Sequence, residues 1–292
     1  MNDAPVSRSP RGGHDVPPGL LVLGAGGPVG LAWQLGWLEQ APDVLGTGVP
    51  VIGTSAGAMA GALLLLGPER RRAVADALRA AARQAAAPAD AEGGAVRGAS
   101  RPDPELRATT TAAYEGGPRA VRALGELMSA HPDDGAHIEE VRRMVGEEWP
   151  AGTLTVVARN ASTGARKLFR AGAVPLHLAV AASSAAPGRT TPVTVGGERY
   201  IDGGIGSLLN SDLARGTAGP VWILAPAGLG TFSPAIVPAL MRNEVTALET
   251  SGTRVELFTP REVFAELGAF ADIARAMDDG ARVARDRFDR GC

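Results

Sequence analysis

The chain has 292 residues, 45% of them hydrophobic and 21% charged, with a formal net charge of −2. This balance is typical of a globular protein with a sizeable core, and since it provides no basic field we expect no nucleic-acid partner. The one cysteine, Cys292, excludes an intrachain disulfide framework and a cysteine-rich metal site, and it fits a reducing compartment such as the cytoplasm.

The first 18 residues are rich in Pro, Gly and Ser and lack an apolar core, so we expect a disordered tail and not a secretory signal. Beyond the tail, short apolar runs alternate with longer helical patterns, which predicts a mainly parallel sheet covered by helices, in a single domain over residues 19–292. The predicted strands are Leu20–Leu23, Val49–Ile52, Thr153–Ala158, Lys167–Arg170, Tyr200–Ile201, Val221–Leu224 and Arg254–Phe258. The predicted helices are Leu31–Gln40, Ala56–Leu66, Glu69–Ala86, Pro118–Ala130, Ala136–Glu147, Val174–Ser184, Pro234–Thr250 and Arg261–Phe288.

One stretch departs from this alternation. Residues 85–118 carry many helix and strand breakers and are too long for an ordinary connection. We therefore expect a lid or flexible insertion there, within a helical cap inserted into the α/β domain.

The first strand runs into a glycine-rich turn. The sequence LLVLGAGGPVGLAWQLGWLEQ places several small residues and one proline between an apolar strand pattern and a segment with helical spacing. Such a turn brings bare backbone close to a ligand, and two ligands are chemically reasonable: a nucleotide pyrophosphate or the oxyanion of an acyl transfer.

A second glycine-flanked motif follows the next strand. Ser55 lies between Gly53 and Gly57 in GTSAG, in a strand, turn and helix context. This context is typical of a nucleophile elbow, where a strained turn holds the serine hydroxyl at a helix N-terminus.

No histidine can complete the usual Ser, acid, His order along the chain. The histidines are at positions 14, 131, 137 and 177, and none follows the late carboxylates; His177 lies in an apolar helix pattern that indicates a core histidine. If Ser55 reacts, its base is therefore a carboxylate. Asp202 is the strongest candidate, because it ends a short strand and precedes Gly203 and Gly204, so it can approach another turn closely. Burial beside Ser55 would raise its pKa toward the range of a general base.

In this order, AGGPVG, GTSAG and DGG resemble the motifs of the patatin-like phospholipase family. The resemblance implies a three-layer α/β/α fold and hydrolysis of lipid or acyl-ester substrates. No metal-ligand spacing appears in the sequence, and we expect no metal and no cofactor. Arg72, Arg79 and Arg83 share one face of a predicted helix and could touch an anionic membrane surface transiently, although such a face is more often solvated. The resemblance also implies a Ser55–Asp202 dyad and an acyl-enzyme. By the same resemblance, the oxyanion would be held by backbone N–H groups of Gly26 and Gly27 together with Ala56, and the motif glycines are Gly30, Gly53, Gly57, Gly203 and Gly204.

Two departures from the family pattern keep alternatives open. Ala25 replaces the first glycine of the family loop, and Val29 replaces its Arg or Lys. The loss of this cation would suit an acyl-binding or regulatory protein with little or no catalysis. A dinucleotide-binding protein is the other alternative, with Gly24, Gly26 and Gly30 on the phosphates and Asp43 on the ribose. The sequence indicates no oligomeric state.

Overall fold

A mixed β-sheet lies at the centre of the structure, a computed structural model that describes residues 17–41, 45, 48–86, 103–130, 135–226, 236–262 and 272–289. In these residues the strands are β1 Leu20–Leu23, β2 Val51–Thr54, β3 Leu154–Asn160, β4 Arg166–Phe169, β5 Val193–Val195, β6 Glu198–Asp202, β7 Val221–Leu224 and β8 Val255–Phe258. They are ordered β5-β6-β3-β2-β1-β7-β8, and β4 pairs with β3. The five strands from β3 to β8 in this order are parallel, whereas β4, β5 and β6 pair antiparallel. The predicted mainly parallel sheet is confirmed.

Helices cover the sheet. Their bounds are α1 Gly27–Glu39, α2 Ala56–Leu65, α3 Pro68–Ala86, α4 Pro104–Gly116, α5 Pro118–Met128, α6 Ala136–Val145, α7 Leu176–Ser183, α8 Ile236–Thr250 and α9 Ile273–Phe288, with a 3-10 turn at Ser211–Ala214. After α2, which follows β2 directly, four further helices, α3 to α6, are inserted before β3. No helix in the described parts of the chain is long and apolar enough to cross a membrane.

The two faces of the sheet build separate cores, because successive side chains of a strand point to opposite sides. Leu21 and Leu23 of β1 pack in the larger core with side chains of α1, α2, α7 and α9. Val22, between them, packs in the second core, to which α8 contributes Met241 and Val245. The sheet is therefore the middle of three layers, as the fold prediction requires.

Helices near opposite ends of the described chain pack tightly against each other. A Cβ atom on Gly36 of α1 would lie 2.0 Å from the carbonyl oxygen of Met277, and one on Gly280 of α9 would lie 2.0 Å from that of Trp33. The two helices thus meet backbone to backbone at these glycines. Trp37 of α1 also packs edge to face on Phe288 of α9, with ring centroids 5.6 Å apart.

The structure corrects several predicted elements. Helix α1 begins at Gly27 and not at Leu31, because Pro28 occupies the first turn, where its missing N–H costs nothing. The three-residue strand β5 was not predicted, since Val193–Val195 is too short to give a pattern. The predicted helix Arg261–Phe288 is also wrong at its start: Arg261 is not helical and α9 begins at Ile273.

The predicted insertion at residues 85–118 is partly helical. Helix α4 begins after Asp103, whose side chain caps the helix by accepting a hydrogen bond of 2.9 Å from the Glu105 N–H. Residues 87–102 and most of the predicted tail lie outside the described residues. The lid or flexible insertion, the disordered tail and the single domain stay predictions.

Candidate active site

Ser55 sits on a strained turn between β2 and α2. Its backbone has φ 55° and ψ −119°, a conformation that residues other than glycine rarely adopt and that costs about 1–3 kcal/mol. Gly57 permits the turn, because a Cβ atom there would lie 1.9 Å from the carbonyl oxygen of Leu23 in β1. A Cβ on Gly53 would similarly lie 2.6 Å from the Gly57 carbonyl oxygen. The hydroxyl is thereby fixed at the N-terminus of α2.

The strand register brings Asp202 to the same level of the sheet as Ser55. Thr54, the last residue of β2, pairs with Val157 of β3, and the next residue of β3, Ala158, pairs with Asp202. Gly203 then runs directly against β3, where a Cβ atom would lie 2.0 Å from the Val157 carbonyl oxygen. The small residues after Asp202 thus allow the close approach that the sequence suggested.

Ser55 and Asp202 form a direct hydrogen bond. The Ser55 hydroxyl donates to Oδ2 of Asp202 at 2.7 Å, and the Gly204 N–H donates to Oδ1 at 2.7 Å. Each of the two residues is only 6% exposed. Burial raises the pKa of Asp202 from 3.8 to about 6, although the hydrogen bonds from Ser55 and Gly204 favour the carboxylate and limit the rise. A carboxylate with this pKa can accept a proton near neutral pH.

Ser183, a buried residue that sequence reasoning missed, joins the two turns. Its hydroxyl accepts a hydrogen bond of 2.9 Å from the Ser55 N–H and donates one of 2.6 Å to the Val157 carbonyl oxygen. Its own carbonyl oxygen accepts from the Gly203 N–H at 3.0 Å. The signal was faint, because Ser183 is one of two adjacent serines in an alanine-rich helix.

Two helices begin close to Ser55, at residues that line the same cavity. Gly27 is the first residue of α1, with φ 58°, and Ala56 is the first residue of α2. Among the described residues, the N–H groups of Gly26, Gly27 and Ala56 have no protein acceptor. The first N–H groups of a helix are free and lie at the positive end of its dipole, so each helix start favours negative charge near it.

A cavity of about 700 Å³ adjoins the site, large enough for one ligand of small-molecule size. Gly27, Ser55 and Ala56 line it. Its apolar wall is formed by Leu31, Met59, Leu78, Leu106, Leu127, Met128, Val141 and Met144. Most of these residues belong to the helices inserted between β2 and β3, so the insertion builds most of the wall. An apolar chain can be buried next to the Ser55 hydroxyl.

The two departures in the first loop have different positions. Among the described non-glycine residues, Ser55 and Asn210 alone have positive φ, so Ala25 fits its position without backbone strain. Val29 is fully buried in the larger core and does not line the cavity. Its side chain therefore offers no contact to a ligand beside Ser55.

Neither described histidine forms a hydrogen bond with Ser55 or Asp202. His177 is buried in α7, and burial lowers its pKa, which agrees with a neutral core histidine. His137 lines the cavity, with Nε2 3.2 Å from both the Ala181 carbonyl oxygen and the Ser184 hydroxyl. His14 and His131 lie outside the described residues.

The structure brings part of the dinucleotide motif to the same cavity. Gly27 and Pro28, inside that motif, line the cavity beside Ser55, whereas Asp43 lies outside the described residues. Among the described side chains, no cluster of three His, Cys, Asp or Glu could hold a metal ion.

Comparisons with known proteins identify a family for most of the chain. The family model described as patatin-like phospholipase matches residues 21–214. Two similar solved structures are the type III effector protein ExoU, at 14% identity and a TM-score of 0.41, and VipD from Legionella pneumophila, at 15% and 0.38. The alignments cover 95% and 92% of this chain, but only 54% of ExoU and 66% of VipD, so this chain spans between half and two thirds of those proteins. A search of curated proteins gives no match.

Proposed function

Because the chain belongs to the patatin-like phospholipase family, we propose that it is a serine acyl hydrolase that cleaves carboxylic ester bonds of lipids through a Ser55–Asp202 dyad. The observation that supports this most directly is the 2.7 Å hydrogen bond from the Ser55 hydroxyl to the Asp202 carboxylate beside an apolar cavity. A strained serine with a carboxylate partner at a helix N-terminus suits nucleophilic attack on an acyl group.

In the first half of the proposed reaction, Ser55 Oγ attacks the ester carbonyl carbon while Asp202 takes its proton. The carbonyl oxygen becomes an oxyanion, and the N–H groups of Gly26, Gly27 and Ala56 stabilise it. The carbon–oxygen bond to the alcohol then breaks, and Asp202 returns the proton to the leaving alcohol. The acyl group stays on Ser55 as an ester.

In the second half, Asp202 takes a proton from water, whose oxygen attacks the acyl-enzyme. Collapse of the second oxyanion releases the fatty acid, and the proton returns from Asp202 to Ser55. Each oxyanion N–H donor contributes about 10²–10³ in rate in comparable enzymes. Pro28 has no N–H, so the donors on this side come from the residues before it.

The acyl-binding alternative keeps the cavity and drops the chemistry. This alternative depends on Val29, which stands where the family has a cation. The Val29 side chain is buried and does not line the cavity, so it cannot act on a bound ligand directly. We therefore favour the hydrolase.

The first test is covalent labelling. We expect a fluorophosphonate to modify the wild-type chain once, at the peptide that contains Ser55, as read by intact mass and peptide mapping. Ser55→Ala should abolish labelling and the hydrolysis of p-nitrophenyl esters. Asp202→Asn should slow both by about 10² or more, because it removes the general base.

Ser129→Ala is a matched control, since Ser129 lies at the end of α5 outside the cavity lining. It should label at the wild-type rate. Full ester hydrolysis by Ser55→Ala, with folding checked by circular dichroism, would remove Ser55 from the mechanism.

A further inference from the structure

Asn210 is a second strained residue close to the dyad. It is fully buried and has φ 50° and ψ 36°, in the left-handed region that non-glycine residues seldom occupy. Asparagine tolerates this conformation better than most residues, but strain at a buried position persists only where other interactions hold it. Neither the motifs nor the proposed mechanism accounts for it.

Its side-chain amide joins the residue before Ser55 to the residue after Asp202. Nδ2 donates to the Thr54 hydroxyl at 3.1 Å and to the Gly203 carbonyl oxygen at 3.2 Å. Nδ2 also lies 2.9 Å from the Ser207 carbonyl oxygen, so its two hydrogens are shared among three acceptors. One buried amide thus touches both turns of the site.

An ion pair fixes the orientation of this amide. Oδ1 accepts from Nη1 of Arg166 at 3.3 Å, and Arg166 is held by a bidentate pair with Asp212 at 2.7 and 2.8 Å. Since a guanidinium only donates and a carbonyl oxygen only accepts, Nδ2 must face the carbonyl groups and Oδ1 must face Arg166. A flipped amide would lose the contacts with Arg166 and with both carbonyl oxygens, and it could keep only the Thr54 hydroxyl, which can also donate.

From this network we infer that Asn210 is a positioning residue that sets the distance between Ser55 Oγ and the Asp202 carboxylate. The inference rests on the proposed function. Ser183 joins the same turns from the side of α7, and Asn210 joins them from the loop after β6.

The test compares three substitutions. Asn210→Gly removes the amide but tolerates positive φ, so the backbone keeps its conformation. Thr54→Val removes the hydroxyl acceptor at nearly constant shape, and Thr54→Ser retains it. We expect the fluorophosphonate labelling rate of Ser55 to fall about 10- to 100-fold in Asn210→Gly and less in Thr54→Val, because small misplacements of reacting groups have such effects. Thr54→Ser should label within about twofold of wild type.

The pH profile separates positioning from general loosening. The hydrogen bond from Ser55 lowers the pKa of Asp202, so loss of alignment should raise that pKa. The labelling rate falls at low pH as Asp202 becomes protonated, and this acid limb of the pH profile should therefore move to higher pH in Asn210→Gly. Partial unfolding would reduce the labelled fraction without moving the limb. Asn160→Gly is the control. The Asn160 side chain accepts from the Ser162 and Thr163 N–H groups of an exposed turn and forms no hydrogen bond with Ser55 or Asp202, so the acid limb of this variant should stay at the wild-type pH.

The outcomes distinguish this inference from the proposed function. A wild-type chain that does not label would overturn both. A wild-type chain that labels, with Asn210→Gly at the same rate and the same acid limb, would overturn the inference alone. If Asn210→Gly does not fold, Thr54→Val decides: wild-type rate and limb in that variant would also overturn the inference.

Discussion

At the scale of single residues, the ionisation of Asp202 governs the expected chemistry. The carboxylate must be charged to accept the Ser55 proton, and its pKa is raised to about 6. We therefore predict that kcat/KM for a p-nitrophenyl ester rises as pH increases through about 6 and levels off above it. A profile that is flat down to pH 4.5 would contradict this assignment.

The same group affects stability with a definite sign. A folded-state pKa above the unfolded value of 3.8 means that the folded chain binds more protons between pH 3.8 and 6, so this contribution to stability is lost as pH rises through that window. The loss amounts to about 3 kcal/mol at neutral pH. Asp202→Asn should thus gain unfolding free energy relative to wild type between pH 4 and pH 7, measured by urea unfolding.

Some residues of the site could be predicted from sequence and others could not. Ser55 and Asp202 stand out because glycines flank them at strand ends, and the contact expected between them is present in the structure; their catalytic roles stay predictions. Ser183 and Asn210 carry no such flanks. Their importance depends on hydrogen bonds to residues far away in the chain, which no local pattern encodes.

At the scale of elements, α2 packs so closely on β1 that its contact residue must be glycine. A Cβ atom on Gly57 would meet a main-chain oxygen at 1.9 Å, whereas one on Gly61, in the same helix, would meet the Val51 Cγ1 atom at 2.9 Å. We predict that Gly57→Ala lowers the free energy of unfolding by about 3 kcal/mol or more, since backbone must move. Gly61→Ala should change it by about 1 kcal/mol or less, because the helix propensity of alanine offsets the tighter packing.

Urea unfolding of the two variants side by side measures this difference. Equal losses of unfolding free energy in the two variants would show that the close packing of α2 on β1 does not restrict residue 57. Each substitution adds the same methyl group to the same helix, so helix propensity alone predicts no difference between them.

Elements with strong periodicity or clear caps were predictable, and short or interrupted ones were not. Strands β1 and β7 match their predicted bounds because each is a continuous apolar run. Helix α4 was missed although Asp103 and Pro104 form a good helix start, since the breakers before it dominated the pattern. Strand β5 owes its existence to pairing with β6, which is a tertiary effect.

At the scale of the whole molecule, the family match ends at residue 214, yet the fold continues beyond it. Strands β7 and β8 extend the sheet beside β1, and α9 packs on α1. We therefore propose that the described elements unfold as one unit. Tryptophan fluorescence and far-ultraviolet circular dichroism should give coincident urea transitions.

Gly280→Ala tests the same proposal from the contact of α9 with α1. It should lower the midpoints of both probes together, because a Cβ atom there would lie 2.0 Å from the carbonyl oxygen of Trp33. Gly252→Ala is the control with open space around it, at a φ of 85°. Its smaller loss should reflect backbone strain alone. Separate transitions for the two probes would indicate more than one folding unit.

The meeting of two helix N-termini beside the cavity has a consequence for the end of the reaction. In the proposed reaction, the N–H groups assigned to the oxyanion would also attract the permanent charge of a newly released fatty acid. The apolar wall would hold the hydrocarbon tail of that acid at the same time. Departure of the product, and the detergent, albumin or bilayer available to receive it, would then limit turnover.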